Sequence, residues 1–231
     1  MTRKLALASL LLASVAACDA QVDADHQGNA LVTLTGSVRN TRTQATPDAE
    51  VVVVWQKSSG SPDLTGTDSV EVEGSFPAQF TLSIYQPPDP ALLNDWGDGV
   101  KFGVAYIISG VPGTDYADDD GTGILGIDVD HLLVYVPADV PADSQLATVL
   151  RGAPHAGFHV YGVNKLTDAE KEQRRQCVDA LPAGYSLDEE YDVCGGDPSF
   201  DDFVPLATDR DTELEVDLID DINDVDFPEW T

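Results

Sequence analysis

From residue 32 onward the chain carries short runs in which apolar and polar residues take turns. Val32, Leu34 and Val38 alternate with Thr33, Thr35 and Ser37, and Ala78, Phe80, Leu82 and Ile84 alternate with Gln79, Thr81 and Ser83. A period of two puts one set on a buried face and the other on a wet face, so each run predicts a half-buried strand. Val51 to Trp55 is continuously apolar, the pattern of a strand covered on both faces. Further strands are expected at Val70 to Glu73, Val100 to Ser109, Ile124 to Val136, Phe158 to Val163 and Glu213 to Ile219. Residues 58–62 (SSGSP), Pro87-Pro88-Asp89-Pro90 and Gly152 to Pro154 supply turns between them. Eight short strands without interleaved helices predict a mainly β fold, an antiparallel β-sandwich or open barrel.

Two departures from this rhythm stand out. In the run from Ile124, apolar residues occupy odd positions at Leu125, Ile127 and Val129, then even ones at Leu132, Val134 and Val136. The phase slips near Asp130-His131, which predicts a β-bulge or a strand break there. The second departure is a helix. Thr167 followed by Glu170 has the spacing of a capping box, and Asp168 to Val178 places acids first and Arg174 and Arg175 late, as the helix dipole favours. Its heavy charge predicts one short surface helix. Residues 165–205 therefore form an elaboration, loop-rich after Asp179, between the last two predicted strands.

The residues before 32 follow another pattern. Arg3 and Lys4 precede an apolar run of eleven residues, Leu5 to Val15, far short of the roughly 20 needed to cross a bilayer. A positive start and a short apolar stretch are the layout of a secretory signal. Val15-Ala16-Ala17-Cys18 resembles the lipobox of bacterial lipoproteins, in which small residues precede an invariant cysteine. That resemblance implies removal of residues 1–17 and diacylglycerol and palmitate-type acylation on Cys18. An ordinary cleaved signal with a chance cysteine is the plainer alternative. Residues 19–30 (DAQVDADHQGNA) are small, polar and acidic and read as a flexible tether, leaving 31–231 as a single domain. With Cys18 lipidated, Cys177 and Cys194 remain as an even pair in an oxidising compartment, read as a structural disulfide, with two separate thiols as the alternative.

Charge narrows the partners. Losing Arg3 and Lys4 leaves 10 of the 12 basic residues against all 41 acidic ones. Such a surface repels nucleic acid and anionic headgroups and leaves cations and basic envelope proteins as partners. Solubility, or adaptation to a salty habitat, explains the same charge without any partner. Hydrophobic residues make up 42% of the chain, enough to bury a core rather than remain disordered.

Residues 33–109 run from TLTGSVRN through EVVVVW and EVEGSFPAQFTLSIYQPP to VKFGVAYIISG. This stretch resembles the β-sandwich of YbaY-type and transthyretin-like bacterial lipoproteins, most clearly over Glu73 to Tyr85. Residues 106–140, YIISG to VPADV, resemble Asp-rich lipoproteins of unknown function. The resemblance implies an Ig/transthyretin-like sandwich and an envelope location, without an activity.

Candidate chemistry is sparse. Asp115, Asp118 and Asp120 lie in a loop with Gly121 and Gly123, and carboxylates spaced by glycines suit calcium, which takes 6–8 oxygen ligands. The spacing is not that of an EF-hand, and a solvated acidic turn between Ser109 and Ile124 is the plainer reading. No cofactor is required by any motif; Ca²⁺ is the one ion the loop suggests. His155 and His159 have a helical metal spacing, but Pro154 and Gly157 oppose a helix, and in a strand they would stand about 13 Å apart. Trp55, Trp96 and Trp230 are candidates for a ligand cleft, with Trp55 also suited to the core. Among motifs of nucleophilic or nucleotide chemistry, GxSxG, the Walker loop and CxxC do not occur in the sequence. Two functions follow as expectations: a lipid-anchored envelope binding or structural module, or an envelope hydrolase whose acids converge with His131.

Overall fold

The computed structural model describes residues 28–43, 48–57, 64–72, 74–95, 98–116, 123–182, 184, 186–196, 201–206, 213–222, 225, 227–228 and 230. Its strands are β1 (Val32–Asn40), β2 (Glu50–Gln56), β3 (Leu64–Glu71), β4 (Ala78–Ile84), β5 (Gly103–Gly110), β6 (Ile124–Ile127), β7 (His131–Val136), β8 (Gly157–Asn164), β9 (Asp202–Pro205) and β10 (Glu213–Leu218). Three α-helices, α1 (Gln145–Val149), α2 (Asp168–Ala180) and α3 (Leu187–Cys194), and one 3-10 turn over Pro90–Leu92 complete the described elements. With 42% of the described residues in strand and 16% in helix, the fold is mainly β.

All ten strands belong to one open sheet, in which β4, β1, β10, β6, β5, β7, β8 and β9 are successive neighbours and β2 and β3 extend from the other side of β5. Most pairings are antiparallel; β1 and β10 run parallel, with Val38 opposite Val216, so the sheet is mixed. Gly126 lets β6 close on β10, because a Cβ there would overlap the Asp217 carbonyl.

The continuous apolar run of β2 reflects two cores, one on each face. Val51, Val53 and Trp55 pack with Leu34, Leu82 and Val216 from β1, β4 and β10. Val52 and Val54 point the other way, into a core shared with Leu146 and Val149 of α1 and with Trp230. β5 divides likewise, sending Ala105 and Ile107 to the first core and Val104, Tyr106 and Ile108 to the second. Each fully buried aliphatic side chain contributes about 1.5–3 kcal/mol relative to exposure, so a doubly covered strand is worth more than its length suggests.

The C-terminal segment seals the second core. The Trp230 indole N–H donates to Gln56 Oε1 at 2.9 Å and lies 3.2 Å from the Tyr106 hydroxyl. That hydroxyl also reaches the Pro228 carbonyl at 3.1 Å. Burial pushes the Tyr106 phenol up to about 12, so it stays a neutral donor across the physiological range.

The phase slip is a strand break. β6 and β7 are two halves of one strand opposite β5: Ile127 faces Ile108, and Leu133 faces Ala105. Between them, residues 128–130 let the chain change its outer neighbour from β10 to β8. Apolar residues change parity where the strand changes partner.

The elaboration at 165–205 holds α2, α3 and β9. Thr167 and Glu170 form the expected reciprocal capping box, and α2 buries no residue, as its charge predicted. Cys177 and Cys194 are disulfide-bonded with Cα atoms 5.7 Å apart, tying α2 to α3. Asp202 on β9 accepts from Arg151 at 2.8 Å and from Arg174 at 2.7 Å, fastening this subregion to the segment after α1.

Candidate functional site

A concavity with polar chemistry lies between β3 and the end of β4, which are both edge strands of the sheet. Along β2 and β3, Val52 faces Ser69 and Val54 faces Gly66, so Thr67 and Asp68 together oppose the single residue Val53. One extra residue on one strand is a β-bulge, which locally re-aims side chains and strengthens twist. Adjacent residues of a regular strand point to opposite faces. Here Thr67 and Asp68 line the same groove.

These two side chains are held from below and from the side. The Trp55 indole N–H donates to Thr67 Oγ1 at 3.0 Å. With that oxygen accepting, the Thr67 hydroxyl is free to donate onward, and the Asp68 carboxylate accepts from it and from the Tyr85 backbone N–H. Burial raises the pKa of Asp68 above the ordinary carboxylate value, and the two hydrogen bonds only partly offset it.

Tyr85 and Tyr135, both half-buried, flank the carboxylate, and the buried Trp55 reaches the groove with its indole edge. Phe158 joins the two aromatic walls, 4.8 Å from the Tyr135 ring centroid and 6.2 Å from that of Trp55. Much of the remaining wall is proline, at Pro87, Pro88, Pro90 and Pro137, with Gln86, Asp89 and Leu93 between them. Proline walls lose little conformational entropy when a ligand covers them, since their φ is already set. The groove encloses about 890 Å³, within the range of small-ligand sites. It offers an acceptor carboxylate on a lining that is polar and apolar in nearly equal parts.

The positions nominated from sequence are distributed differently. Cys18, Asp118, Asp120 and Trp96 lie outside the described residues. Asp115 is exposed and borders a separate cleft beside Glu50 and Tyr116. There the Tyr116 hydroxyl donates to Glu50 Oε1 at 3.1 Å, and burial together with the Glu50 charge pushes the phenol pKa up. Among the described residues, no group of three or more His, Cys, Asp or Glu side chains is placed to hold a metal.

Asp128 and His131 come together at the strand break. Asp128 is 1% exposed, and its oxygens accept from the Asp130 N–H at 2.9 Å and the Glu215 N–H at 3.0 Å. His131 Nδ1 lies 3.0 Å from Oδ2. That hydrogen bond raises the His131 pKa against the opposing effect of burial. The Glu215 amide belongs to β10 and would have met the backbone of β6 had that strand continued. The Asp128 side chain stands in for the missing strand, and His131 lines none of the grooves described here. The pair is a clamp on the break.

His155 and His159 are not a metal pair: His159 Nε2 contacts the His155 carbonyl at 2.7 Å, and His155 Nδ1 faces Asp139. Trp230 is core, whereas Trp55 is both core and groove.

Sequence reasoning missed Asp68 because it started the strand at Val70. The signal was present: Val70 and Val72 set the inward phase of β3, and Asp68 stands in that phase. An acid at an inward position breaks the local rule, and such violations mark functional or strained sites.

Comparison with protein-family models, curated proteins and solved structures finds no match for this chain. No helix among the described residues is long and apolar enough to cross a membrane.

Proposed function

We propose that this protein is a non-catalytic binding module held at the cell envelope by lipid on Cys18, with the β3–β4 groove as its binding surface. The observation that carries the binding half is Asp68: an inward carboxylate, raised in pKa by burial, presented by a bulge into a cavity walled by aromatic and proline side chains. Keeping a charged group half-buried costs stability, and a fold retains such a group where it serves recognition. The envelope half rests on the lipobox-like Val15-Ala16-Ala17-Cys18 and the acidic, small-residue segment that follows it.

Two measurements test the halves separately. A metabolic fatty-acid probe labels the wild-type protein and leaves Cys18→Ser unlabelled; equal labelling of both overturns the anchor. A photoreactive residue at exposed Asp89, on the groove rim, cross-links a discrete component in the protein's own envelope. The same residue at Glu172 of α2, which does not line the groove, captures none; identical products from both positions overturn the groove as the binding surface.

A further inference from the structure

We infer that the β3–β4 groove takes an organic cation, an alkyl ammonium or guanidinium group on an apolar stem, with Asp68 as its counter-ion. This rests on the binding reading above and names the class of ligand.

Charge selects the sign. Among the described residues, those lining the groove include the carboxylates of Asp68 and Asp89 and no Lys, Arg or His, on a chain whose formal charge is −29. An anion entering would face a carboxylate with no cation among the described lining residues to offset it. A cation is drawn in by the same field.

Coordination selects the kind of cation. A hard ion such as calcium needs 6–8 converging oxygens, whereas the lining here sets Thr67, Asp68, Gln86 and Asp89 among Tyr85, Tyr135, Leu93, four prolines and the indole edge of Trp55, and among the described residues no group of three or more His, Cys, Asp or Glu side chains is placed to hold a metal. Aromatic rings attract organic cations through their quadrupole and accept the apolar stem as well. An ionised carboxylate has about four acceptor sites. Thr67 and the Tyr85 amide occupy two of them, so acceptor capacity remains for an N–H donor from the ligand.

Geometry selects orientation. The donors on Asp68 come from the bulge and from the residue that follows β4, so the carboxylate is braced from both the β3 and the β4 side before a ligand arrives. Such preorganisation lowers the entropic cost of binding. The indole N–H of Trp55 is linked to this carboxylate through Thr67 and therefore reports on whatever binds it.

The full chain in detergent is titrated while the Trp55 indole N–H resonance is followed. Agmatine represents a free amine, acetyl-arginine methylamide a side chain of a basic protein, and acetyl-norleucine methylamide the neutral control. Either cation is expected to give a saturable shift, the neutral control none, and Asp68→Asn at least tenfold weaker binding with the rest of the spectrum retained. Tyr85→Ala, which leaves the carboxylate in place, weakens binding less than Asp68→Asn. Tighter binding of agmatine assigns the site to free amines, and tighter binding of the arginine derivative assigns it to basic chains.

The inference is overturned if neither cation gives a saturable shift, if the neutral control matches the cations, if calcium chloride alone reproduces the shift, or if Asp68→Asn binds undiminished. Should cross-linking at residue 89 still capture a component that neither cation displaces, the binding module stands and the cation assignment falls. Cation binding without any captured component has the reverse meaning.

Discussion

His131 Nδ1 lies 3.0 Å from Asp128 Oδ2, and this contact braces the point where one strand leaves β10 and joins β8. Because Asp128 also accepts two backbone N–H groups there, its removal orphans donors at the centre of the sheet. Asp128→Ala is expected to cost roughly 2–4 kcal/mol, measured by urea denaturation. The His131 pKa is raised in the folded state, so the pair's contribution is complete below about 6.5, the unfolded value. It is lost as pH rises through the higher folded value. Wild-type stability should therefore decline over that window and Asp128→Ala should not; parallel profiles would contradict the assignment.

Asp68 obeys the same linkage with a different meaning. Its folded pKa is raised by burial, so the folded state holds its proton above the unfolded value of about 3.9, and stability falls as pH rises through the folded value. Asp68→Asn should raise the thermal midpoint at pH 7, and the gain should vanish below pH 3.9, where both forms are neutral. A lower midpoint at pH 7 would show that the carboxylate is structural.

Trp230 tests whether the C-terminal segment is part of the core. Trp230→Ala should cost about 3–5 kcal/mol by leaving a cavity against Phe102. Trp230→Phe keeps a ring there but loses the N–H donor to Gln56, at about 1–2 kcal/mol. Equal losses in denaturant melts would mean that packing alone matters.

Reducing Cys177–Cys194, which are 17 positions apart, should lower stability by about 3 kcal/mol in the chain-entropy model. Limited proteolysis of the reduced protein should cut first within residues 165–205 and leave the sheet intact. First cuts in β2 or β5 would contradict the separation of this subregion from the cores.

Much of the strand set was legible because burial on one or both faces writes itself into side-chain period. β4 matches its predicted span, the doubly apolar run of β2 has the two cores it implied, and α2 begins on its expected capping box. The short elements α1, α3 and β9 were not legible. α1 has five residues and β9 four, too few to establish a period, and tertiary contacts support them more than local preference does. Asp68 was hidden for a related reason: Thr65 to Ser69 is polar or glycine throughout, so no apolar alternation marks it as strand.

The sequence by itself determined the mainly β class, the surface helix and the position of the strand break. Each follows from local period, capping chemistry or parity, which neighbouring residues set among themselves. Only the tertiary structure decided that β1 lies parallel to β10, that one sheet carries two cores, and that Asp68 reaches a groove between β3 and the end of β4. Those facts depend on contacts between residues far apart in the chain, where Thr67, Tyr85 and Tyr135 meet, and no local pattern encodes which distant strand will supply the other wall.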